Sequence, residues 1–314
     1  MFVDKYLGLY EQRYFGAGHK RTKYSILDSY ISDEQFVMSA KIEQEGVWSQ
    51  KGQSKKKQHL STVDGIILSG MLVEKYLEIT CENCSDWMLQ SFEVHAASNP
   101  VEDVNHIVLY LDFDKSSLLE KRYAVNVSGM RVDLSFEQIK IEEQTNHGQQ
   151  NYFSSHLKNS MLDLTDIHFI SDDLVEADTQ WMHQKMEYSG LGSAHTNEIS
   201  LLEWLISFSQ LCELMVYNHD KVSREESENL WMRSVKAEIN ISSLGLPNLE
   251  TIHSFGKIDK AKIITKGGNS WSMLNVTTGT SDNQVLFTAK VAHILPSASI
   301  EMKHQVKKYC LMTK

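Results

Sequence analysis

Two apolar segments of helical length constrain the fold of this chain more than any other feature. The first, LSTVDGIILSGMLVEKYLE, spans residues 60–78, and the second, ISLLEWLISFSQLCELMVY, spans residues 199–217. In both segments the apolar residues recur at steps of three and four, which is the period of an α-helix. A helix that is apolar on most of its faces must be covered on most of its faces, so the rest of the chain has to wrap around it.

The stretches on both sides of the predicted helices have the two-residue period of β-strands. In the first half, the strand-like stretches are 22–31, 35–48, 87–97, 105–114 and one around 122–136. The second half repeats this order, with a polar, partly strand-like stretch before its helix and strand-like runs after it, at 152–188, 230–240, 260–266, 270–279 and 283–295. Each half therefore consists of strands, one long apolar helix and several antiparallel strands.

A strongly curved antiparallel sheet that surrounds a central helix buries that helix without a second helical layer. This is the hot-dog arrangement, and two copies in one chain give a double hot dog, which is an α+β fold. We therefore predict a first hot-dog unit over residues 1–145 and a second over residues 146–314. Another α+β fold would give the same alternation of elements.

The charge of the chain argues against a nucleic-acid partner. Asp and Glu total 41 against 31 Lys and Arg, which gives a formal net charge of −10. Proteins that bind a phosphate backbone carry clustered excess positive charge instead. The short basic run KGQSKKK at residues 51–57 lies among Gly, Ser and Gln, and we interpret it as a solvated loop.

The sequence predicts a cytoplasmic protein with no membrane partner. The N-terminal MFVDKYLGLYEQRYF lacks the basic and apolar regions of a signal peptide, and no window holds the roughly 18 consecutive apolar residues of a membrane span. Four cysteines in a chain of this length indicate a reducing compartment. Cys81 and Cys84 form a CxxC pair, but no second Cys or His pair stands at zinc-site spacing, so we expect free thiols and no metal.

Three strings of residues resemble the avirulence protein D (AvrD) family of plant-associated bacteria. They are YLGLYEQRYFGAGHKRTKY at residues 6–24, HLSTVDG at 59–65 and REESENLWMRSV at 224–235. The resemblance lies in the first quarter and the last third of the chain, and residues 137–198 do not contribute to it. It implies an enzyme of small-molecule signal synthesis, since the family is associated with syringolides, which are acyl-sugar elicitors built from a β-ketoacyl chain and the ketopentose xylulose.

The resemblance therefore predicts an acyltransferase or condensing enzyme that joins a β-ketoacyl thioester, on coenzyme A or an acyl carrier protein, to a sugar hydroxyl. One alternative is a hot-dog dehydratase or thioesterase that acts on acyl thioesters. Another is a module that binds a lipid or a signal without catalysis. The oligomeric state stays open, with a homodimer as one alternative. No P-loop, HExxH, GxSxG or dinucleotide fingerprint is present, so no cofactor is predicted.

In hot-dog dehydratases, a His in the loop before one helix faces an acid on the helix of the partner unit. Here His59 precedes the first predicted helix, and Glu203 stands in the first turn of the second. We expect His59 to act as a general base and Glu203 to approach it across the interface between the units. The alternative for His59 is an ordinary surface loop.

Asp64 occupies the same place in the first helix as Glu203 in the second. Both are candidate acid–base groups, but a carboxylate in a first helical turn is also favoured by the helix dipole, and so each could be a structural cap. The backbone N–H groups of such a helix start can stabilise an oxyanion. Gly65, which follows Asp64, would let a substrate approach that backbone closely.

The remaining candidates bind substrate. Gln210 lies two turns after Glu203 on one helix face, as a substrate ligand or a buried hydrogen-bonding group; dehydratase helices place their Gln four residues after the acid, where this chain has Ser207. Arg233, beside Trp231, could bind the phosphate of a thioester carrier or pair with Glu225 or Glu228. His19, in FGAGHKR, belongs to an anion-binding lid or to a simple turn.

Overall fold

The computed structural model describes residues 3–32, 34–80, 82–139, 148–240 and 251–296. Within them, the two long helices are α1 (Thr62–Ile79) and α2 (Leu201–Asp220). One sheet contains twelve strands of this described part: β1 (Thr22–Ile31), β2 (Gln35–Gln44), β3 (Trp87–His95), β4 (Ile107–Ser117), β5 (Arg122–Val127), β6 (Met130–Gln138), β7 (Ser160–Phe169), β8 (Leu174–His183), β9 (Trp231–Ile239), β10 (Ile252–Lys266), β11 (Asn269–Thr280) and β12 (Val285–Ile294).

The strands follow the order β1-β2-β4-β5-β6-β3-β9-β12-β11-β10-β8-β7, and neighbours in this order are antiparallel. When the second half is read inward from its own edge, its order is β7-β8-β10-β11-β12-β9, which repeats the order of the first half. The halves join where β3 pairs with β9, for example at Phe92 and Ala237. The antiparallel sheet and the helices confirm the α+β class that the sequence predicts.

The helices bury most of their surface, as their all-round apolar sequences require. Helix α1 packs on β2, β4, β5 and β6 of the first half, and α2 packs on the sheet of the second half and also on β3. In α2, 17 of the 20 residues are buried, and in α1, 12 of 18. Phe208 of α2 contacts the ring of Phe287 on β12, which in turn contacts Phe92 on β3, so the core is continuous between the halves.

The strand predictions differ from the structure in one main respect. The stretch around 122–136, expected to be a single strand, forms the hairpin of β5 and β6. Its turn residues Ser128 and Gly129 have φ angles of 48° and 89°, which are the positive values of a two-residue hairpin turn. The stretch 35–48 ends as a strand at Gln44. The predicted unit boundary between residues 145 and 146 lies outside the described residues, as does Cys81.

An N-terminal segment of tight turns connects the starts of the two helices. It contains Tyr10–Gln12, Tyr14–Gly18 and His19–Arg21, each a short helical turn. A Cβ atom on Gly18 would lie 2.2 Å from the carbonyl oxygen of Trp48, so only glycine allows this backbone contact. The FGAGHKR string is therefore a packed turn. In the described ranges, no helix combines the length and the apolar character that crossing a membrane requires.

Candidate functional site

A cavity of about 550 Å³ lies where the start of α1 faces the middle of α2. Its size is within the range of about 300–1,000 Å³ that is usual for small-molecule sites. The wall comes from both halves of the chain. Most of it is apolar or aromatic, with the larger side chains Tyr14, Phe15, Trp48, Met130, Leu205, Leu230, Trp231, Met232, Ile264, Trp271 and Met273.

His59 stands in this wall between two tryptophan rings. Its ring centroid lies 4.6 Å from that of Trp48 and 5.2 Å from that of Trp231. Its Nδ1 is 3.3 Å from the carbonyl oxygen of Lys57, so Nδ1 carries the proton and donates it to that carbonyl. Partial burial lowers the pKa of His59 below its ordinary value. The imidazole is therefore neutral near pH 7, and its Nε2 is free to accept a proton.

The start of α1 contributes Ser61, Thr62 and Val63 to the same wall. Ser61 caps the helix, because its Oγ accepts the N–H of Asp64 at 3.1 Å. The N–H groups of Thr62 and Val63 belong to the first turn, which has no intrahelical acceptors for them. A helix N-terminus whose first residues line a cavity can stabilise negative charge on a bound oxygen atom through such N–H groups.

Asp64 lies behind this wall and is not part of it. It is 1% exposed, and its Oδ2 accepts the backbone N–H of Ser61 at 2.9 Å, which completes a capping box. Its Oδ1 accepts the hydroxyl of Tyr24 at 2.7 Å and that of Tyr14 at 3.4 Å. Burial raises the pKa of Asp64 above its ordinary value. The carboxylate does not line the cavity, but its negative charge acts on His59 in the wall, where it opposes the effect of burial on the pKa.

Glu203 forms the same box at the start of α2. Its Oε2 accepts the N–H of Ser200 at 2.6 Å, and the Oγ of Ser200 accepts the N–H of Glu203 at 3.1 Å. Its Oε1 accepts the indole N–H of Trp181 at 2.8 Å. These bonds hold the carboxylate against β8, in cavities of only about 20 Å³. His59 and Glu203, which the sequence places opposite each other, therefore line separate cavities.

The surroundings of Glu203 are filled by side chains. The imidazole of His156 has its Nδ1 2.8 Å from the carbonyl oxygen of Tyr152 and its Nε2 2.9 Å from the Oγ of Ser200. His19 is also buried here, its Nδ1–H donating to the carbonyl of Tyr14 at 3.0 Å, and burial lowers the pKa of His19 to about 4. These histidines are satisfied hydrogen-bonding groups of a packed interior.

Two further candidates, Gln210 and Gly65, are packed against other residues of the protein. Gln210 is buried, and its Oε1 accepts a hydrogen bond from the guanidinium of Arg13, so it holds the N-terminal segment on α2. A Cβ atom on Gly65 would lie 2.4 Å from Sδ of Met130. The expectation that Gly65 opens the backbone to substrate is corrected by this contact, because a side chain of β6 occupies that space. Met130 itself lines the cavity.

Arg233 and Trp231 both line the cavity, as substrate-binding candidates should. Arg233 is exposed, and its guanidinium donates to the carbonyl oxygen of Ala97 at 3.4 Å. An exposed guanidinium needs no carboxylate partner, so pairing with Glu225 or Glu228 is not required for it. The carboxylate that lies near Arg224, at 3.8 Å from its Nε, is that of Glu213 on α2.

The interpretation of 51–57 as a solvated loop is wrong for Lys51. This lysine is 6% exposed, and it lines the cavity together with Ser209, Glu213 and Arg224. Sequence reasoning missed all four. One signal was available, because Ser209 and Glu213 follow Leu205 at steps of four, which places two polar residues on one face of an apolar helix. In the described part of the chain, no three His, Cys, Asp or Glu side chains group as metal ligands do.

Comparison with known proteins gives one match in sequence. The family described as "Pseudomonas avirulence D protein (AvrD)" matches residues 1–296. No curated protein matches the chain. Among solved structures, the chain is similar to a tesB protein of Mycobacterium avium subsp. paratuberculosis, with 8% identity over 87% of this chain and 96% of that one and a TM-score of 0.43.

Two other solved structures are similar at the same level. One is a conserved protein of unknown function with a hot dog fold from Alicyclobacillus acidocaldarius, with 8% identity over 91% of this chain and 97% of that one and a TM-score of 0.41. The other is the acyl-CoA thioesterase II TesB2 of Mycobacterium marinum, with 8% identity over 90% of this chain and 99% of that one and a TM-score of 0.39.

Proposed function

This chain belongs to the AvrD family, and from that membership and the geometry beside His59 we propose that it is a double hot-dog enzyme that transfers a β-ketoacyl group from a thioester to a sugar hydroxyl. The product would be an acyl sugar of the syringolide type. The thioester would be carried by coenzyme A or an acyl carrier protein, and the reaction would take place in the cytoplasm.

The repeated topology supports the fold part of the proposal. Each half has the same strand order, and in each half the long helix follows the second strand and packs on the sheet of that half. The proposed units are residues 1–145 and 146–314. In a double hot dog the substrate lies between the units, and the 550 Å³ cavity is lined from both halves.

One observation carries the proposal of catalysis: His59 and the first residues of α1, Thr62 and Val63, line one cavity large enough for a substrate. The two residues that separate His59 from Thr62 are Leu60 and the cap Ser61. A base and an oxyanion-binding group in one site are what acyl transfer to a hydroxyl needs. The tryptophans and aliphatic side chains of the wall would hold the acyl chain by burial of its apolar surface.

The proposed reaction proceeds by addition and elimination at the thioester carbonyl. The sugar hydroxyl attacks the carbonyl carbon, a C–O bond forms, and the proton of the hydroxyl moves to Nε2 of His59. The N–H groups of Thr62 and Val63 stabilise the oxyanion. The C–S bond then breaks, and the imidazolium returns the proton to the departing thiolate, so the enzyme ends the cycle unchanged. Asp64 and its tyrosines would fix the helix start.

Mass spectrometry of purified protein incubated with a β-ketoacyl thioester, with and without xylulose, tests this proposal. The variants are His59→Ala and the control His168→Ala, since His168 is an exposed histidine on β7 that pairs with Asp166. We expect a sugar-dependent acyl ester in the wild type and in His168→Ala, and its loss in a folded His59→Ala.

Other outcomes assign the alternatives. Thioester that is consumed at the same rate without xylulose, with release of the free acid, would make the protein a thioesterase. A dehydratase acts on a β-hydroxyl group, so a β-hydroxyacyl thioester is incubated in parallel, and its conversion to a product lighter by one water would make the protein a dehydratase. Thioester recovered unchanged, together with acyl ligand retained on the protein, would make it a binding module without catalysis.

A further inference from the structure

The charges in the cavity wall have the opposite sign to the chain as a whole. The chain has a formal net charge of −10. Among the described residues of the wall, four are Lys or Arg, and Glu213 provides the carboxylate. Lys51 and Arg224 are 6% and 5% exposed, whereas Arg233 and Lys266 are exposed at the rim. The wall therefore presents positive charge at two places, one buried and one open to solvent.

The ammonium of Lys51 is held by neutral groups. Its Nζ donates to the hydroxyl of Tyr217 at 3.1 Å, to Oγ of Ser227 at 3.0 Å and to the carbonyl oxygen of Glu228 at 2.6 Å. No carboxylate lies within ion-pair distance of Nζ in the described chain. Burial lowers the pKa of Lys51 to about 8, the carboxylate of Glu213 opposes this shift, and Arg224 adds to it. The three bonds use all three N–H donors of the ammonium, so Lys51 contributes its positive charge to the cavity wall and no free donor.

Arg224 presents further unused donors. Its Nη1 donates to the carbonyl of Gln50 at 2.8 Å and its Nη2 lies 3.3 Å from Oγ of Ser49. Its buried Nε has no hydrogen-bond partner in the described chain and forms an ion pair with Glu213 at 3.8 Å. The indole Nε1 of Trp48 and the Oγ of Ser209 are likewise buried without a partner there. All three side chains line the cavity. Buried polar atoms of this kind are normally satisfied, so these side chains leave hydrogen-bonding capacity unused beside the cavity.

We infer that Lys51, Arg224, Ser209 and the indole of Trp48 form a phosphate subsite, and that the acceptor is a phosphorylated sugar. The inference rests on the proposed function, because it assigns this subsite to the acceptor of the acyl group. A guanidinium and an ammonium at one place match a phosphate group, which spreads its charge over several oxygen atoms. Glu213, near Arg224, would accept a sugar hydroxyl, and its negative charge moderates the affinity for the anion.

The phosphate could also come from the thioester carrier, and the two places of positive charge distinguish these sources. A carrier must extend out of the cavity, so its phosphates would meet the exposed Arg233 and Lys266. A small acceptor would be enclosed, so its phosphate would meet the buried Lys51 and Arg224. The buried position also leaves no room for a macromolecular carrier.

Isothermal titration calorimetry without any thioester tests the subsite. The probes are xylulose, xylulose 5-phosphate and inorganic phosphate, and the variants are Lys51→Met, Glu213→Gln and the double variant R233A/K266A. We expect the wild type to bind xylulose 5-phosphate at least about tenfold more tightly than xylulose, a difference of one charge-assisted contact. Lys51→Met should remove this preference, and R233A/K266A should keep it.

Glu213→Gln is the decisive variant, because it tests the subsite by a gain. Removal of its negative charge should tighten the binding of xylulose 5-phosphate and of inorganic phosphate about threefold or more, whereas the binding of xylulose, which carries no charge, should not tighten. A purely structural role of Lys51 and Arg224 predicts no such gain, and this readout stays valid if Lys51→Met does not fold. Equal affinity for xylulose and its phosphate would overturn the inference, and so would a preference lost only in R233A/K266A, because the phosphate would then bind at the rim and not at Lys51 and Arg224.

The inference and the proposed function can fail separately. His59→Ala should keep the preference for xylulose 5-phosphate over xylulose, because His59 contacts the reacting hydroxyl of both sugars and is not part of the phosphate subsite. A wild type that binds the sugar phosphate tightly but forms no acyl ester would refute acyl transfer alone. A wild type that acylates xylulose as efficiently as xylulose 5-phosphate, with equal affinity for both, would refute the phosphate subsite alone.

Discussion

The starts of the two long helices are built alike and surrounded differently. Both begin with a capping box, Ser61 with Asp64 in α1 and Ser200 with Glu203 in α2. In both, an aromatic side chain of the neighbouring sheet donates a hydrogen bond to the carboxylate, Tyr24 to Asp64 and Trp181 to Glu203. The start of α1 opens on a cavity of about 550 Å³. The start of α2 borders cavities of about 20 Å³.

The difference arises from the positions of the aromatic side chains. At α2, Trp204 directly follows the acid and is 1% exposed, and Tyr152 stacks on His156 at 4.3 Å beside the cap. At α1, the residue after the acid is Gly65, and Trp48 and Trp231 stand around the open space. The capping box is therefore part of the architecture that both halves share, whereas in the described structure the large cavity lies at the start of α1.

The largest effect that this comparison predicts is on activity. His59→Ala should lower kcat/KM by about 10²- to 10⁴-fold, the usual contribution of a general base, with little change in stability because the side chain is only partly buried. His156→Ala should lower stability and leave kcat/KM nearly unchanged, since it leaves the Oγ of Ser200 and the carbonyl of Tyr152 without their partner. Steady-state kinetics and urea unfolding of both variants measure the two effects.

The opposite result for these two variants would contradict the roles assigned to the two helix starts. A folded His156→Ala that loses activity while His59→Ala keeps it would place the chemistry at the start of α2. Imidazole added to the His59→Ala reaction provides a control, because recovery of activity shows that the missing group is a base and that the cavity is intact.

A second prediction concerns the stability of the fold at acidic pH, which should depend on His19, a buried residue near the start of α2. The pKa of His19 is about 4 in the fold, below the ordinary 6.5. The unfolded chain therefore binds the proton first, and stability is lost as the pH falls from about 6.5 to about 4. The loss attributable to His19 is about 3 kcal/mol. His19→Asn keeps a donor for the carbonyl of Tyr14 and removes the titration.

Urea unfolding at pH 7 and at pH 4 checks this prediction. The wild type should lose about 3 kcal/mol more than His19→Asn over that interval. The difference between the two proteins is the meaningful quantity, because the raised pKa values of Asp64 and Glu74 act in the opposite direction in both of them. An equal loss in both proteins would show that His19 is not a buried neutral group.

Much of the fold could be predicted from the sequence, since helical and strand periods are local properties. The segments 60–78 and 199–217 gave α1 and α2 within a few residues. The hairpin of β5 and β6 was missed because its turn is only Ser128 and Gly129, inside a run of otherwise alternating residues. The repeated strand order agrees with the order of strands and one long helix that the sequence repeats in its two halves.

The site was less predictable, because it depends on contacts between distant residues. The burial of Lys51 is due to Tyr217, Ser227 and Glu228, which lie more than 160 positions away in the chain. The orientation of Glu203 is set by Trp181 of β8. His59 could be singled out by its place before a helix, but the tryptophans beside it come from two separate segments. Sequence spacing does not contain this information.

A third prediction compares the carboxylates of the two boxes. Glu203→Gln should lower stability by about 1 kcal/mol, because the amide is a weaker partner for two N–H donors at a helix start. Acyl transfer should stay within about threefold of the wild type. Thermal unfolding and product formation measure the two quantities. A folded Glu203→Gln protein without activity would instead support the pairing of His59 with Glu203 across the interface.

The smallest predicted effect concerns Gly65, the residue that follows Asp64 in α1. Alanine at position 65 would place its Cβ 2.4 Å from Sδ of Met130, so the flexible methionine must move, and the space beside it is the cavity. Alanine favours the helix by about 1 kcal/mol over glycine, which offsets the displacement, so stability should change by less than about 1 kcal/mol.

The readout for Gly65→Ala is therefore the acyl chain. If Met130 moves into the space that holds the chain, kcat/KM should fall about two- to fivefold for the longest chain accepted, which corresponds to about one methylene group of lost burial at most, and less for shorter chains. Met130→Val, whose side chain ends before the position of Sδ, should restore the long chain in the double variant. A uniform loss for all chain lengths would mean that Gly65 acts on the helix start and the oxyanion, and not through Met130 on the volume of the cavity.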